Sequence, residues 1–119
     1  MDFNIVVISG RLAAEPEIRT FDGGSTVVRF LVAAHTDTPR RRIDVVPVVL
    51  WDAGENVAEF ERGDRIWVAG SVQRRFWSDD GNRRSRIEVV AHHVQKREDG
   101  VVVDVRSESR SKVEPTMSA

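Results

Sequence analysis

The chain has 119 residues and no cysteine, which is enough for one domain with its own core and excludes disulfide frameworks and thiolate zinc sites. Its formal net charge is −1, from 18 basic and 19 acidic residues, which excludes a uniformly basic polyanion binder. Any nucleic-acid function therefore needs a local basic face.

From the N-terminus, Phe3-Asn-Ile-Val-Val-Ile-Ser-Gly-Arg-Leu-Ala13 is β-rich and reads as a first strand. Gly10 inside it marks a bend of the kind closed barrels need. Ala14-Glu-Pro16 breaks the strand, and Ile18 to Phe21 continues it beyond the break. Asp22-Gly-Gly24 is a turn signal, and Val27 to Ala34 is a second strand expected to form a hairpin with the first. A polar loop from His35 to Arg42 follows, holding Pro39 and Arg40-Arg41-Arg42. A third strand runs from Asp44 to Trp51, with Pro47 favouring an edge or bulge. Residues 52–60 have the spacing of a short helix, with Asp52 and Glu55 as a capping box, and Gly63 suits the left-handed position after it. Arg65 to Trp77 is the fourth strand, Ser78 to Asn82 a hairpin turn, and Arg84 to Val94 the fifth strand.

Three strands, a helix, then two strands is the element order of an OB-fold barrel. The expected fold class is all-β: a five-stranded OB-fold barrel with a short helix between strands 3 and 4. Residues 1–97 form this domain, and 98–119 an extension. Within it Val101–Val105 is a candidate extra strand, whose β-branched residues suit clasping a neighbouring subunit, and Ser107 to Ala119 reads as a disordered tail.

The fourth strand is the most informative segment. Period-two alternation puts Ile66, Val68, Val72 and Phe76 on one face and Arg65, Trp67, Ser71, Gln73, Arg75 and Trp77 on the other. Interleaved arginine and tryptophan suit a surface that stacks bases and neutralises phosphates. The same pattern also suits tryptophans packed at a subunit interface. Sixteen of the 18 basic residues are arginine, which favours bidentate phosphate contacts but equally fits a compositional bias of the source organism.

These elements carry a family resemblance. The segments Asn4-Ile-Val-Val-Ile-Ser-Gly-Arg-Leu12, Glu15-Pro-Glu-Ile-Arg19, Gly23-Gly24, Val48-Val-Leu-Trp51, Arg62-Gly-Asp-Arg-Ile-Trp-Val-Ala-Gly70, Arg75-Phe-Trp77 and Asp80-Gly81 occur in the order and spacing of the bacterial single-stranded DNA-binding protein family. The resemblance covers about residues 4–96. It implies an OB-fold, a homotetramer, and single strands wrapped over the barrels by stacking on aromatics and phosphate contacts from basic groups. Trp51 and Trp77 match aromatic positions of the family, and Arg11, Arg19 and Arg75 lie where polar or basic groups are common.

Three features depart from the family. The third strand reads Asp44-Val45-Val46-Pro47, lacking an aromatic, and His35-Thr-Asp-Thr-Pro39 lacks a tryptophan. The ending Val113-Glu-Pro-Thr-Met-Ser-Ala119 lacks the family's acidic tip finishing in Pro-Phe, which recruits repair and replication enzymes. The pattern resembles a shorter second copy kept beside a main protein.

The candidate nucleic-acid contacts are then Arg11, Arg19, Arg40, Arg41, Arg42, Trp51, Trp67, Arg75, Trp77, Arg84 and Arg86. Trp67 is the one most open to an interface role. Arg84 and Arg86 share a strand face near Trp77 across the turn. His92 and His93 point to opposite faces and do not chelate together, so no metal or other cofactor is expected. No Walker loop or nucleophile elbow is present, and no enzyme activity is expected.

Apolar runs are too short to span a bilayer, and nothing resembles a signal peptide; the expected location is the cytoplasm, at the nucleoid. The expected function is sequence-independent binding of single-stranded DNA in replication, repair or recombination. The rivals are an OB-fold interaction protein that binds DNA weakly and pairs with another subunit, such as the main single-stranded DNA-binding protein, and an RNA-binding module.

Overall fold

Alternating apolar and polar residues build seven strands: β1 Val6–Leu12, β2 Glu17–Thr20, β3 Thr26–Thr36, β4 Arg42–Trp51, β5 Arg65–Asp79, β6 Asn82–Glu98 and β7 Val101–Arg106. This computed structural model describes residues 1–98 and 101–106, with positions 55, 98 and 101–104 described by backbone alone. Residues 99–100 and 107–119, the latter including the expected disordered tail, lie outside the described residues.

The sheet runs β1-β5-β6-β4-β3-β2, and β1 also pairs with β3, which closes five strands into a barrel. All contacts between neighbours are antiparallel except β4 with β6, which run parallel at Val48–Val89 and Val49–Val90. Inward residues from every barrel strand meet in one core, including Leu12, Phe30, Val32, Leu50, Ile66, Val68, Ala91 and Val94. Phe30 and Phe60 pack with ring centroids 5.7 Å apart at 52°. Burying each such large side chain contributes about 1.5–3 kcal/mol.

Closure forces backbones together at two points. Just past Gly10, β1 gains β3 as a second partner while Arg11 still pairs with β5, and a Cβ at Gly10 would strike the Ala33 carbonyl. At Gly70 a Cβ would strike the Val90 carbonyl and lie 2.9 Å from Ala91 Cα. The β5–β6 register shifts at this point: Ala69 faces His93 while Gly70 faces Ala91, leaving His92 as an extra residue on β6. Such a bulge bends a strand and increases its twist.

Several expectations need correction. The first two strands do not form a simple hairpin. β1 pairs with β3 only at Arg11–Ala33 and Leu12–Val32 and spends most of its length against β5. The hairpin partner of β3 is the short β2. The expected helix is a single 3₁₀ turn, Glu55–Glu59, with no side-chain cap. Asp52 has φ 48°, and its Oδ1 accepts the Thr26 N–H at 3.0 Å, so its carboxylate ties β4 to β3 rather than capping a helix. Gly63 has φ 92° but sits in a separate turn, where its N–H donates to the Leu12 carbonyl. Pro47 lies where β4 has only β3 as neighbour, so its missing N–H faces an open edge.

β7 pairs with β6 of its own chain and buries Val105 in the core. The 3₁₀ turn is held from below by a nearly buried ion pair. Lys96 Nζ lies 3.3 Å from Asp64, both side chains only 12% exposed, and donates to the Glu59 carbonyl at 2.7 Å. Asp64 in turn accepts the Glu61 N–H at 2.8 Å. Lys96→Met is expected to cost about 1–2 kcal/mol, because it leaves a poorly solvated carboxylate without its cation. A urea midpoint unchanged from wild type would contradict this.

Candidate nucleic-acid interface

Directly paired residues point to the same side of a sheet, so the register sorts every outward side chain. One outer surface runs from β2 across β3, β4 and β6 to the far half of β5. Its rows are Arg19–Val27–Trp51, then Glu17–Arg29–Val49–Val90–Ser71. It continues along the β5–β6 hairpin as Gln73–Glu88, Arg75–Arg86 and Trp77–Arg84. Trp51 therefore stands at one end of this surface and Trp77 towards the other.

The hairpin is shaped by its turn. Asp80 and Gly81 both have positive φ, 50° and 79°, and Asp79 pairs with Asn82, which defines a two-residue type I′ connection. The turn is thus tighter than the five residues expected. It fixes Arg84 opposite Trp77 and Arg86 opposite Arg75. The Arg86 guanidinium lies 5.4 Å from the centroid of Trp77, a cation–π contact that holds the indole against the strand. The Arg86 Nε is buried without a hydrogen-bond partner among the described residues, so the ring face is its main neighbour. Arg84 lies 3.6 Å from Asp79 in an exposed pair, and Arg75 has no ion pair among the described residues. At the other end Trp51 stacks on Phe21, with centroids 5.7 Å apart and planes at 24°.

The loop arginines are more neutralised than their run suggests. Arg42 binds Asp44 through two hydrogen bonds, 2.9 and 3.1 Å, which hold the Asp44 carboxyl below its usual range and raise the Arg42 guanidinium. Arg41 lies 3.8 Å from Asp37, which also faces His35 at 3.4 Å. Arg40 is exposed and has no ion pair among the described residues. Because β4 and β6 run parallel, the start of β4 and the turn end of β6 lie towards one end of the barrel. The Arg40–Arg42 loop and the Trp77 hairpin therefore project from that same end.

Residues 3–97 match the single-strand binding protein family. The chain belongs to that family. It is 37% identical over 99 residues to single-stranded DNA-binding protein 2 of Listeria monocytogenes, covering 77% of this chain and 62% of the relative. Against the single-stranded DNA-binding protein of Clostridium tetani it is 35% identical over 99 residues, covering 77% and 68%. The chain spans 33%, 57% and 62% of the length of three curated relatives it matches. Among solved structures, a Plasmodium falciparum SSB in complex with ssDNA superposes with a TM-score of 0.63 at 23% identity, covering 76% of this chain and 88% of that one. That likeness shows the OB-fold.

In this member of the single-strand binding family, the candidate residues fall into two groups. Arg19, Trp51, Arg75, Trp77, Arg84 and Arg86 share the surface just described. Arg11 and Trp67 do not: they lie on a second wall formed by β1, the first half of β5 and the end of β6. There Trp67, 44% exposed, has the Arg97 guanidinium 5.8 Å from its centroid, and Arg11 donates to the Gly63 carbonyl. Trp67 lies roughly 30 Å along the strand from Trp77.

Sequence alternation does not single out Phe21 or Arg29, which also lie on the surface that carries Trp51. Phe21 follows a four-residue strand that is exposed throughout, so no pattern marks it; its place beside the Asp22-Gly-Gly24 turn is the available signal. Among the described residues no cluster of His, Cys, Asp or Glu could hold a metal ion, and no helix is long and apolar enough to cross a membrane.

Proposed function

We propose that this chain binds single-stranded DNA without sequence preference, as a non-enzymatic OB-fold subunit acting in replication, repair or recombination at the nucleoid. The observation that carries the reading is the Trp77 ring with Arg86 over it, flanked by Arg75 and Arg84 on one face of a protruding hairpin. Every base has a π-face, so stacking on Trp77 and Trp51 is sequence-tolerant, and arginines along the same surface meet the phosphates. The single-stranded DNA-binding relatives from Listeria monocytogenes and Clostridium tetani support this ligand, as does the Plasmodium falciparum SSB solved with ssDNA.

The second wall supports self-association. Ile5, Val7 and Trp67 are exposed there, and among the described residues β1 has a free edge along most of its length. Exposed apolar patches beside an unpaired edge are usual interaction surfaces. On this reading Trp67 packs between subunits of a homo-oligomer, a tetramer by family analogy, and Arg11 is structural. Pairing with a different family member would use the same wall.

Titration with oligo-dT at two salt concentrations tests the proposal. Tryptophan emission is expected to quench saturably, and neutralising about three phosphates gives a slope of log K against log salt of about −2. Absence of quenching at low salt would refute the proposal, and a large preference for oligo-rU would redirect it to RNA.

A further inference from the structure

The hairpin has a second face that the function just proposed does not use. In the barrel, the inward positions of β5 and β6 fill the core. Beyond Val72 and Val89, β5 and β6 pair only with each other among the described residues, and the same positions emerge into solvent. A two-stranded ribbon has no layer behind it, so polar residues are expected there. Instead the face carries Val72, Phe76 and Ile87, at 39%, 58% and 53% exposure. Phe76 is thus more exposed than Trp77, at 38%.

The charged groups on this face are arginines. Reading the register, it holds Val72, Arg74, Phe76 and Ser78 from β5, and Arg83, Ser85, Ile87 and Val89 from β6. No carboxylate stands among them, whereas the Trp77 face includes Asp79 and Glu88. The Arg83 guanidinium lies 5.6 Å from the Phe76 centroid, close to the 5.4 Å of Arg86 over Trp77. Arg74 donates to Ser85 Oγ at 3.2 Å, which holds it across the ribbon. An aromatic ring with a guanidinium over it therefore occurs on both sides of one hairpin.

We infer that Phe76, with Arg74 and Arg83, is a second stacking station for single-stranded nucleic acid on the reverse face of the hairpin, so that one strand engages both sides of it. This rests on the single-strand binding proposed above and adds a site to it. Self-association through this face is disfavoured. A two-fold contact would bury Arg74 and Arg83 of both copies in one interface, with no carboxylate on the face to neutralise them. A polyanion with apolar base faces satisfies both the rings and the charges.

The test compares wild type, Phe76→Ala, Phe76→Leu and Phe76→Trp in the full chain. Binding to labelled oligo-dT, and to an abasic oligomer of equal length, is read by anisotropy, with assembly mass from sedimentation. Phe76→Ala and Phe76→Leu are each expected to weaken oligo-dT binding by about 5- to 30-fold, the lower part of the range of one lost base stack, and Phe76→Trp to preserve it. The penalty should fall below twofold on the abasic oligomer, with mass unchanged. Wild-type binding together with alanine and leucine variants within twofold of it would overturn the inference. So would a leucine variant that behaves as wild type while alanine lowers the assembly mass, which marks a protein interface. A wild type that leaves oligo-dT unbound overturns the underlying function as well.

Discussion

Trp77→Ala is expected to lower affinity for oligo-dT by about 10- to 100-fold, within the 1–3 kcal/mol that one base stack contributes. Two features of the site place the effect towards the upper end. Arg86 already sits 5.4 Å from the ring, so the indole is held in place before a base arrives and little rotamer freedom is lost on binding. The type I′ turn also fixes the hairpin register, so Arg75, Arg84 and Arg86 converge on that ring. Losing the ring therefore frees Arg86 as well as removing the stack. Trp77→Phe should retain most of the binding. The control is Trp67→Phe, on the other wall of the barrel, expected to stay within about twofold of wild type. Anisotropy at low and moderate salt distinguishes the outcomes. A Trp67→Phe penalty larger than that of Trp77→Phe would mean that the surfaces have been assigned the wrong way round.

Gly70→Ala is expected to destabilise the fold by about 3 kcal/mol, the upper end of overpacking costs. The atoms an added methyl would meet are backbone, the Val90 carbonyl and Ala91 Cα, so no side chain can rotate away. Relief requires β5 and β6 to separate where the register shifts, and the hairpin springs from that point. Urea unfolding should show a lower midpoint at unchanged m-value. A loss below about 1 kcal/mol would show that the strands yield more easily than their spacing implies. Because β6 also contacts β4 and β7, partial fraying is expected to reach β7 first, visible as faster amide exchange there.

The legible parts of the molecule are the local ones. Alternation locates the barrel strands, and Asp80-Gly81 marks the hairpin, whose register follows from a two-residue turn. Alternation puts Arg84 and Arg86 on one strand face near Trp77, and the two-residue turn, shorter than the five residues expected, sets that face on the side of Trp77. Long-range pairing is less legible. Alternation shows that 3–13 is a strand but not that its main partner is β5, some 60 residues away. The 3₁₀ turn reads as a capped helix because Asp52 has the chemistry of a cap; its carboxylate is taken by Thr26 across the sheet. Trp67 and Trp77 share a parity on one strand, so alternation alone puts them on one surface. Barrel curvature and the shift at Ala69/Gly70 separate them onto two walls.

The unpaired His92 has a consequence for chain length. Before it, the outward positions of β6 are even-numbered, 84 to 90; after it they are odd-numbered, 93 to 97. The change of parity is the mark of that extra residue, since without it one regular alternation would run from Arg84 to Arg97. Deleting His92 would set the inward Ala91 directly beside the outward His93, so Arg84, Arg86 and the buried Val94 would keep their sides and only the bulge and its bend would be lost. Shortening the hairpin by one residue from each strand beside Asp80-Gly81 would preserve both alignments. Length changes within the hairpin should therefore be symmetric about the turn, whereas a lone deletion at position 92 would straighten β6 without turning any side chain over.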